Sequence, residues 1–175
     1  MKKLIIIPAV AIILAVAVLF GLAFGLKNVA EKNAQKQFHE QLLTLLPGSE
    51  SFAEEAYTGE DANIRKVYKA DNGYVIETAV QGYVDEIVML VGVSNEGSVT
   101  GLVIRDMHET PGVGTKALKD WQFLAQFLKT EGDAQIGTNV DAISGATVTS
   151  KAVAKSVNSA VAFVTGADAD SGATG

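Results

Sequence analysis

The sequence predicts an α+β domain with an antiparallel sheet and packed helices, preceded by a single N-terminal transmembrane helix. Three observations lead to this prediction. Residues 4–26 form an apolar run with no charged residue. Residues 64–106 contain β-branched and aromatic segments separated by short turns, which is typical of an antiparallel meander. Residues 118–129 and 148–165 carry apolar side chains at helical spacing, so both are expected to form helices that pack on the sheet.

The apolar run is long enough to cross a bilayer. At about 1.5 Å per residue, residues 4–26 span roughly 34 Å, and a hydrocarbon core is about 30 Å thick. A cleaved signal peptide has an apolar core of only about 7–15 residues, so we expect residues 1–26 to be a retained membrane anchor. Lysines flank the run on both sides, and the positive-inside rule therefore indicates an orientation only weakly. Our default is a cytoplasmic N-terminus and an extracytoplasmic domain.

The region after the anchor divides into three parts. Residues 27–48 have apolar side chains near helical spacing and end in Pro47 and Gly48, which predicts a juxtamembrane helix. Residues 49–166 contain the strands and the other helices, and we expect them to form the folded domain. Residues 167–175 are small and polar, and we expect them to be a disordered tail.

Turn residues separate the elements inside the domain. Residues 71–73 read Asp-Asn-Gly and predict a tight turn between two strands, and residues 95–97 predict a second hairpin. Residues 107–117 contain a proline and two glycines and should form a loop. The acidic stretch around residues 54–61 is expected to be a solvated face. Trp121 is expected to anchor its helix in the core.

Composition excludes several functions. The chain has no Cys, so it has no disulfides, thiolate metal sites, iron–sulfur clusters of its own or cysteine nucleophiles. Its net charge of −6 argues against nucleic acid as a partner. No nicotinamide-binding motif and no general acid–base constellation is recognisable, so we expect no catalytic residue and no metal site.

The segment 141–147, D-A-I-S-G-A-T, lies between a short apolar stretch and the last predicted helix. Free N–H groups at a helix start bind anions, and Gly145 and Ala146 would let an anion approach the backbone closely. The hydroxyls of Ser144 and Thr147 are available to contact a phosphate. The alternative is a turn in which these hydroxyls only cap the helix.

A second segment, H-E-T-P-G-V-G at 108–114, precedes this motif. Together they resemble the FMN-binding domain shared by RnfG and NqrC, subunits of the membrane-bound Rnf and sodium-pumping NADH:quinone oxidoreductase complexes. The resemblance covers residues 27–165, and its short length is more similar to RnfG, although Thr115 replaces an acidic residue frequent in that group. It implies that a flavin transferase attaches FMN through its phosphate to the hydroxyl of Thr147. The other cofactor-binding residues that it implies are Asp141, Ser144, Gly145, Ala146, Thr149, His108, Glu109, Thr110, Pro111, Gly112 and Gly114.

The D-x-x-S-G-A-T spacing recurs at residues 168–174, so the motif alone does not decide whether Thr147 or Thr174 is the attachment site. Context favours Thr147, because a helix follows it and the 108–114 loop precedes it. Only one residue follows Thr174, so we expect this copy to offer no helix dipole to a phosphate and no apolar wall to a ring.

The resemblance implies a membrane-anchored, single-pass flavoprotein that transfers electrons within an Rnf-type ion-translocating ferredoxin:NAD oxidoreductase complex. Its partners would be multi-pass and iron–sulfur subunits, and it would not be a complete enzyme alone. One alternative is a freestanding flavinylated membrane protein that serves extracellular electron transfer. Others are an NqrC-like protein of a sodium-pumping complex and a cofactor-free binding or assembly module.

Overall fold

The structure is a computed structural model that describes residues 31–112 and 114–167. The predicted anchor at residues 4–26 and the repeated motif at residues 168–174 lie outside the described residues. Within the described ranges, no helix has both the length and the apolar character needed to cross a bilayer. Among the described residues, the chain divides into two compact units, with the boundary between Gln41 and Leu42.

The first described element is helix α1, residues 31–45, which lies within the predicted juxtamembrane helix at 27–48. Residues 46–48 form a bend and turn, as Pro47 and Gly48 predict. Within the second unit, Leu42, Leu45 and Leu46 are buried, which gives the end of α1 an apolar contact with the domain.

A five-stranded antiparallel sheet forms the centre of the second unit. Its strands are β1 (Ala53–Glu55), β2 (Ile64–Lys69), β3 (Gly73–Gln81), β4 (Glu86–Ser94) and β5 (Val99–Asp106). The spatial order β1-β2-β3-β4-β5 follows the chain, so the predicted meander is confirmed. Pairing between β3 and β4 is regular from Gly73 with Ser94 to Gln81 with Glu86. The turn that joins these two strands, residues 82–85, reaches the candidate site described below.

Strand β1 is an element that the sequence pattern did not predict. All three of its residues are exposed, so it has no alternation of apolar and polar side chains. Lys66 Nζ lies 3.1 Å from Glu54 Oε1, and Lys69 Nζ lies 3.5 Å from Glu55 Oε1, across the pair of strands. The acidic stretch is solvent-exposed at these positions, as expected, and it also forms an edge strand.

Helix α4 (Thr147–Thr165) packs on β3 and β4 and supplies much of the core. Val153, Val157 and Val161 are buried, at the spacing that the sequence predicts. The helix ends at Gly166, whose φ of 70° is the left-handed conformation that favours glycine at this position. The predicted end of the last helix is therefore confirmed.

The helix predicted over residues 118–129 is shorter than expected. It becomes α3 (Trp121–Gln126), followed by a 3₁₀ turn at Phe127–Lys129, and the short helix α2 (Gly114–Ala117) precedes it. Asp120 explains the late start, because its carboxylate accepts from the N–H groups of Gln122 and Phe123 at 3.0 and 3.3 Å and so caps α3.

The prediction that Trp121 anchors the core is wrong. As the first residue of α3 its side chain is 73% exposed, and the core positions are filled by Phe123 and Phe127 instead. Their rings meet edge to face, with centroids 5.2 Å apart. The capped start of α3 therefore sets which side chains of this segment face inward.

Candidate functional site

The two motifs singled out in the sequence meet at one cavity of about 410 Å³. It lies where the 107–112 loop, the β3–β4 turn and the first turn of α4 come together. The residues that line it are Tyr83, Glu109, Thr110, Gly114, Gly145, Ala146, Thr147, Val148 and Thr149. Segments about 30 residues apart thus share one concave surface, as is typical of ligand sites.

The turn before α4 leaves the start of that helix open. The N–H of Ala146 donates to the carbonyl of Ile143 at 2.9 Å, and Gly145 has a φ of 80°, which a side chain would strain. Ala146 is the N-cap residue and makes no side-chain cap hydrogen bond. The alternative in which Ser144 or Thr147 only caps the helix is therefore not what the structure contains. The first N–H groups of α4 remain available to an anion.

Three hydroxyl side chains on the first turn of α4 have different surroundings. Thr147 is exposed, and its hydroxyl makes no hydrogen bond with a described residue. Thr149 is 1% exposed, and its hydroxyl donates to a Glu109 oxygen at 2.7 Å. Ser150 is fully buried; its hydroxyl donates to Ala146 O at 2.9 Å and accepts from Ile143 N–H at 3.3 Å. Of these three, Thr147 is the one that is both exposed and part of the cavity lining.

Glu109 connects the segments that form the cavity. Its side chain is 5% exposed, and its two oxygens accept from the N–H of Val84 at 3.1 Å and from the Thr149 hydroxyl at 2.7 Å. Gly114 permits this arrangement, because a Cβ there would lie 2.5 Å from Glu109 Oε2 and 3.0 Å from Thr149 Oγ1. The carboxylate therefore ties the β3–β4 turn to the first turn of α4.

Two apolar side chains at the cavity were not predicted from the sequence. Tyr83 is 70% exposed and Val148 is 48% exposed, and both line the cavity. Apolar surface inside a concavity is what the lining of a ligand pocket offers. The available signal was weak: Tyr83 follows a glycine in a hairpin turn, and Val148 alternates with two threonines. Neither pattern indicates a shared cavity.

The other residues of the two motifs lie outside this lining. His108 is exposed, with Nδ1 3.8 Å from Asp85 Oδ2 and 3.9 Å from Asp106 Oδ1. The Asp141 side chain is exposed, and its backbone N–H donates to Gln126 Oε1 at 2.8 Å. Three more of the predicted cofactor-binding residues lie outside the lining and are exposed: Pro111, Gly112 and Ser144.

Comparison with known proteins gives a family match over the part of the chain that forms the cavity. The family model described as FMN-binding domain matches residues 82–162, a span that includes every residue lining the cavity. The G subunit of the Na⁺-translocating ferredoxin:NAD⁺ oxidoreductase complex of Acetobacterium woodii is 40% identical over 98 residues, which are 51% of this chain and 47% of that protein. The G subunit of the proton-translocating ferredoxin:NAD⁺ oxidoreductase complex of Clostridium ljungdahlii is 40% identical over 99 residues, 53% of each chain.

A longer alignment extends the comparison beyond the matched domain. The G subunit of the ion-translocating oxidoreductase complex of Haemophilus influenzae is 31% identical over 155 residues, which cover 76% of this chain and 75% of that protein. In contrast, the alignments with the Acetobacterium and Clostridium proteins span about half of the length of those relatives.

Proposed function

Because the chain belongs to the FMN-binding domain family, together with the G subunits of ion-translocating oxidoreductase complexes, we propose that it is an electron-transfer flavoprotein with FMN bound covalently to Thr147. The observation that carries the proposal is the exposed Thr147 hydroxyl at the open start of α4. Thr149, two residues later, is buried and already bonded to Glu109, which argues against it as the acceptor.

The cavity has the features that FMN requires. A phosphate on Thr147 would lie at the start of α4, where uncapped N–H groups and the helix dipole favour negative charge. Tyr83 and Val148 offer apolar surface to the ring, and the cavity volume is within the range of about 300–1,000 Å³ that ligand pockets have. Bound FMN supplies one- and two-electron chemistry.

Each part of this chain has a distinct task in the proposal. Thr147 holds the cofactor by a bond rather than by an equilibrium, which keeps its local concentration high. Glu109 accepts a hydrogen bond from Thr149 and so holds the first turn of α4, which also contains Thr147. Gly145 leaves the approach to the backbone open, since a Cβ there would meet no atom within 4 Å.

In the cell the protein would act as one component of a complex rather than as a complete enzyme. We infer a single-pass membrane protein, anchored by residues 4–26, whose flavin domain is extracytoplasmic. It would pass electrons between redox centres held by multi-pass and iron–sulfur subunits of an Rnf-type complex. The complexes to which its relatives belong support this inference. Co-purification with such subunits in mild detergent tests it, and isolation of the flavoprotein alone would favour a freestanding role.

Substitution of Thr147 tests the site of attachment. The protein is co-produced with a flavin transferase, and in-gel flavin fluorescence is read after denaturing electrophoresis. We expect a fluorescent band for the natural sequence and for the control Thr138→Ala, an exposed loop position, and none for Thr147→Ala. Thr147 makes no cap bond, so its loss should change stability by no more than about 0.5 kcal/mol. A fluorescent band that persists in Thr147→Ala contradicts the assignment.

Mass spectrometry distinguishes the two copies of the motif. Trypsin releases Thr147 on the peptide 130–151 and Thr174 on the peptide 156–175. The mass of FMN is expected on the first peptide. Asp141→Ala should lower the labelled fraction without removing the acceptor, because Asp141 is exposed and belongs to the transferase recognition motif that the family resemblance implies. FMN on the second peptide would show that the attachment site is Thr174 and would contradict the assignment to Thr147.

A further inference from the structure

A second cavity, of about 320 Å³, shares Val148 with the first. It lies between α4, the end of β3 and residues 134–136. Its apolar surface is formed by Val80, Ile136, Val148 and alanines of α4. We name it the lysine cavity, because Lys151 and Lys155 also line it.

The charge of the lysine cavity is opposite to that of the chain. The protein has 20 acidic and 14 basic residues, yet none of the described residues that line this cavity is Asp or Glu. Lys151 and Lys155 are also the sole charged residues within α4. A cleft lined by charge of one sign concentrates the potential inside it and raises the local concentration of counter-ions. The lysine cavity therefore attracts anions.

Lys155 is the better placed of the two cations. Its side chain is half-buried and makes no ion pair with any described residue. Within the described ranges, no carboxylate lies at ion-pair distance from its ammonium group. The ammonium group of such a lysine is a compact point charge, and a bound anion would form an ion pair with it.

Two amide side chains line the same surface, and one of them has donors to offer a ligand. Asn63 already uses both N–H groups of its Nδ2, on Asp61 Oδ1 at 2.6 Å and on Ser159 Oγ at 3.1 Å. The side-chain amide of Gln135 makes no hydrogen bond with a described residue, so both of its polar atoms remain available to a ligand. A few convergent polar groups on an otherwise apolar surface are what ligand sites require.

We propose that the lysine cavity binds a small organic carboxylate, with an apolar ring on Val80 and Ile136 and its anionic group at Lys155. The volume is at the lower end of the range for ligand pockets, about 300–1,000 Å³, which favours a ligand of one or two rings. Inorganic phosphate has no apolar part to place on Val80 and Ile136, so a carboxylate attached to a ring is the better match to this lining. The proposal does not depend on whether Thr147 carries FMN.

Lysine acetylation measures the binding directly on the full chain in detergent. The probe is 2-naphthoate, and the rate at which a soluble acetylating ester modifies each lysine is followed by mass spectrometry. At saturating probe the acetylation rate of Lys155 should fall at least about threefold, while the exposed Lys119 should be unaffected. Equal rates for Lys155 with and without 2-naphthoate would overturn the proposal. So would equal protection by the neutral 2-naphthylmethanol or by inorganic phosphate.

A matched pair of variants tests the role of charge. Gln135→Glu places a carboxylate in the cavity lining without a change of shape, and it should abolish the protection of Lys155. Gln122→Glu is the same change at an exposed position of α3 outside the cavity, and it should leave the protection intact. Protection that survives Gln135→Glu would show that charge does not select the ligand. If the Gln135 variant does not fold, the protection of Lys155 measured on the natural sequence still tests the proposal.

Discussion

Replacement of Thr149 by valine tests whether the Glu109 carboxylate holds the first turn of α4. The change is nearly isosteric and removes the hydroxyl that donates to Glu109 Oε2 at 2.7 Å. Thr149 is 1% exposed and Glu109 is 5% exposed, so water has little access to the oxygen that loses its donor. The cost should therefore be that of a buried hydrogen bond to a carboxylate.

The magnitude follows from that environment. A hydrogen bond to a charged group contributes about 1.5–3 kcal/mol, and a neutral one about 0.5–1.5 kcal/mol. Thr130→Val is the matched control, because the Thr130 hydroxyl is also buried but donates to a neutral carbonyl, Phe127 O, at 2.9 Å. Thr149→Val should lower the melting temperature by roughly 5–12 °C, and Thr130→Val by no more than about half of that.

A double-mutant cycle isolates the contact itself. Thermal unfolding is followed by circular dichroism for Thr149→Val, Glu109→Gln and the double variant, all as full chains in the same detergent. A direct bond predicts a coupling free energy of about 1–2 kcal/mol between the two positions. Coupling within about 0.5 kcal/mol of zero, or a Thr149 variant no less stable than the Thr130 variant, would refute the reasoning.

Three further predictions concern buried and capping groups of the domain. Asn158→Ala should cost roughly 2–4 kcal/mol in unfolding free energy, because Asn158 satisfies both the N–H and the carbonyl of Ala134, at 2.9 and 3.0 Å. Ser156→Ala should leave the melting temperature unchanged or raise it, since the buried Ser156 hydroxyl has no partner in the described structure; a clear decrease would contradict this. Asp120→Ala should cost about 1 kcal/mol in denaturant unfolding, and an unaffected midpoint would show that the α3 cap is dispensable.

The sequence determined the features that depend on local interactions. The meander over residues 64–106 followed from β-branched residues and turn dipeptides, because both act within a few positions of the chain. The end of α4 at Gly166 followed from the same kind of signal. The two motifs, H-E-T-P-G-V-G and D-A-I-S-G-A-T, identified the family without any coordinates. The predicted anchor at residues 4–26 lies outside the described residues, and it stays a prediction that rests on apolar length and on the family resemblance.

The tertiary structure decided which side chains are exposed. The motif points to Thr147, but the sequence pattern does not show which of Thr147 and Thr149 is exposed; the packing of α4 against the loop at residues 107–112 makes the first open and the second buried. Packing likewise brings Tyr83 to the same cavity and leaves Trp121 in solvent. Exposure is set by contacts between segments far apart in the chain, and periodicity within a single segment does not contain that information.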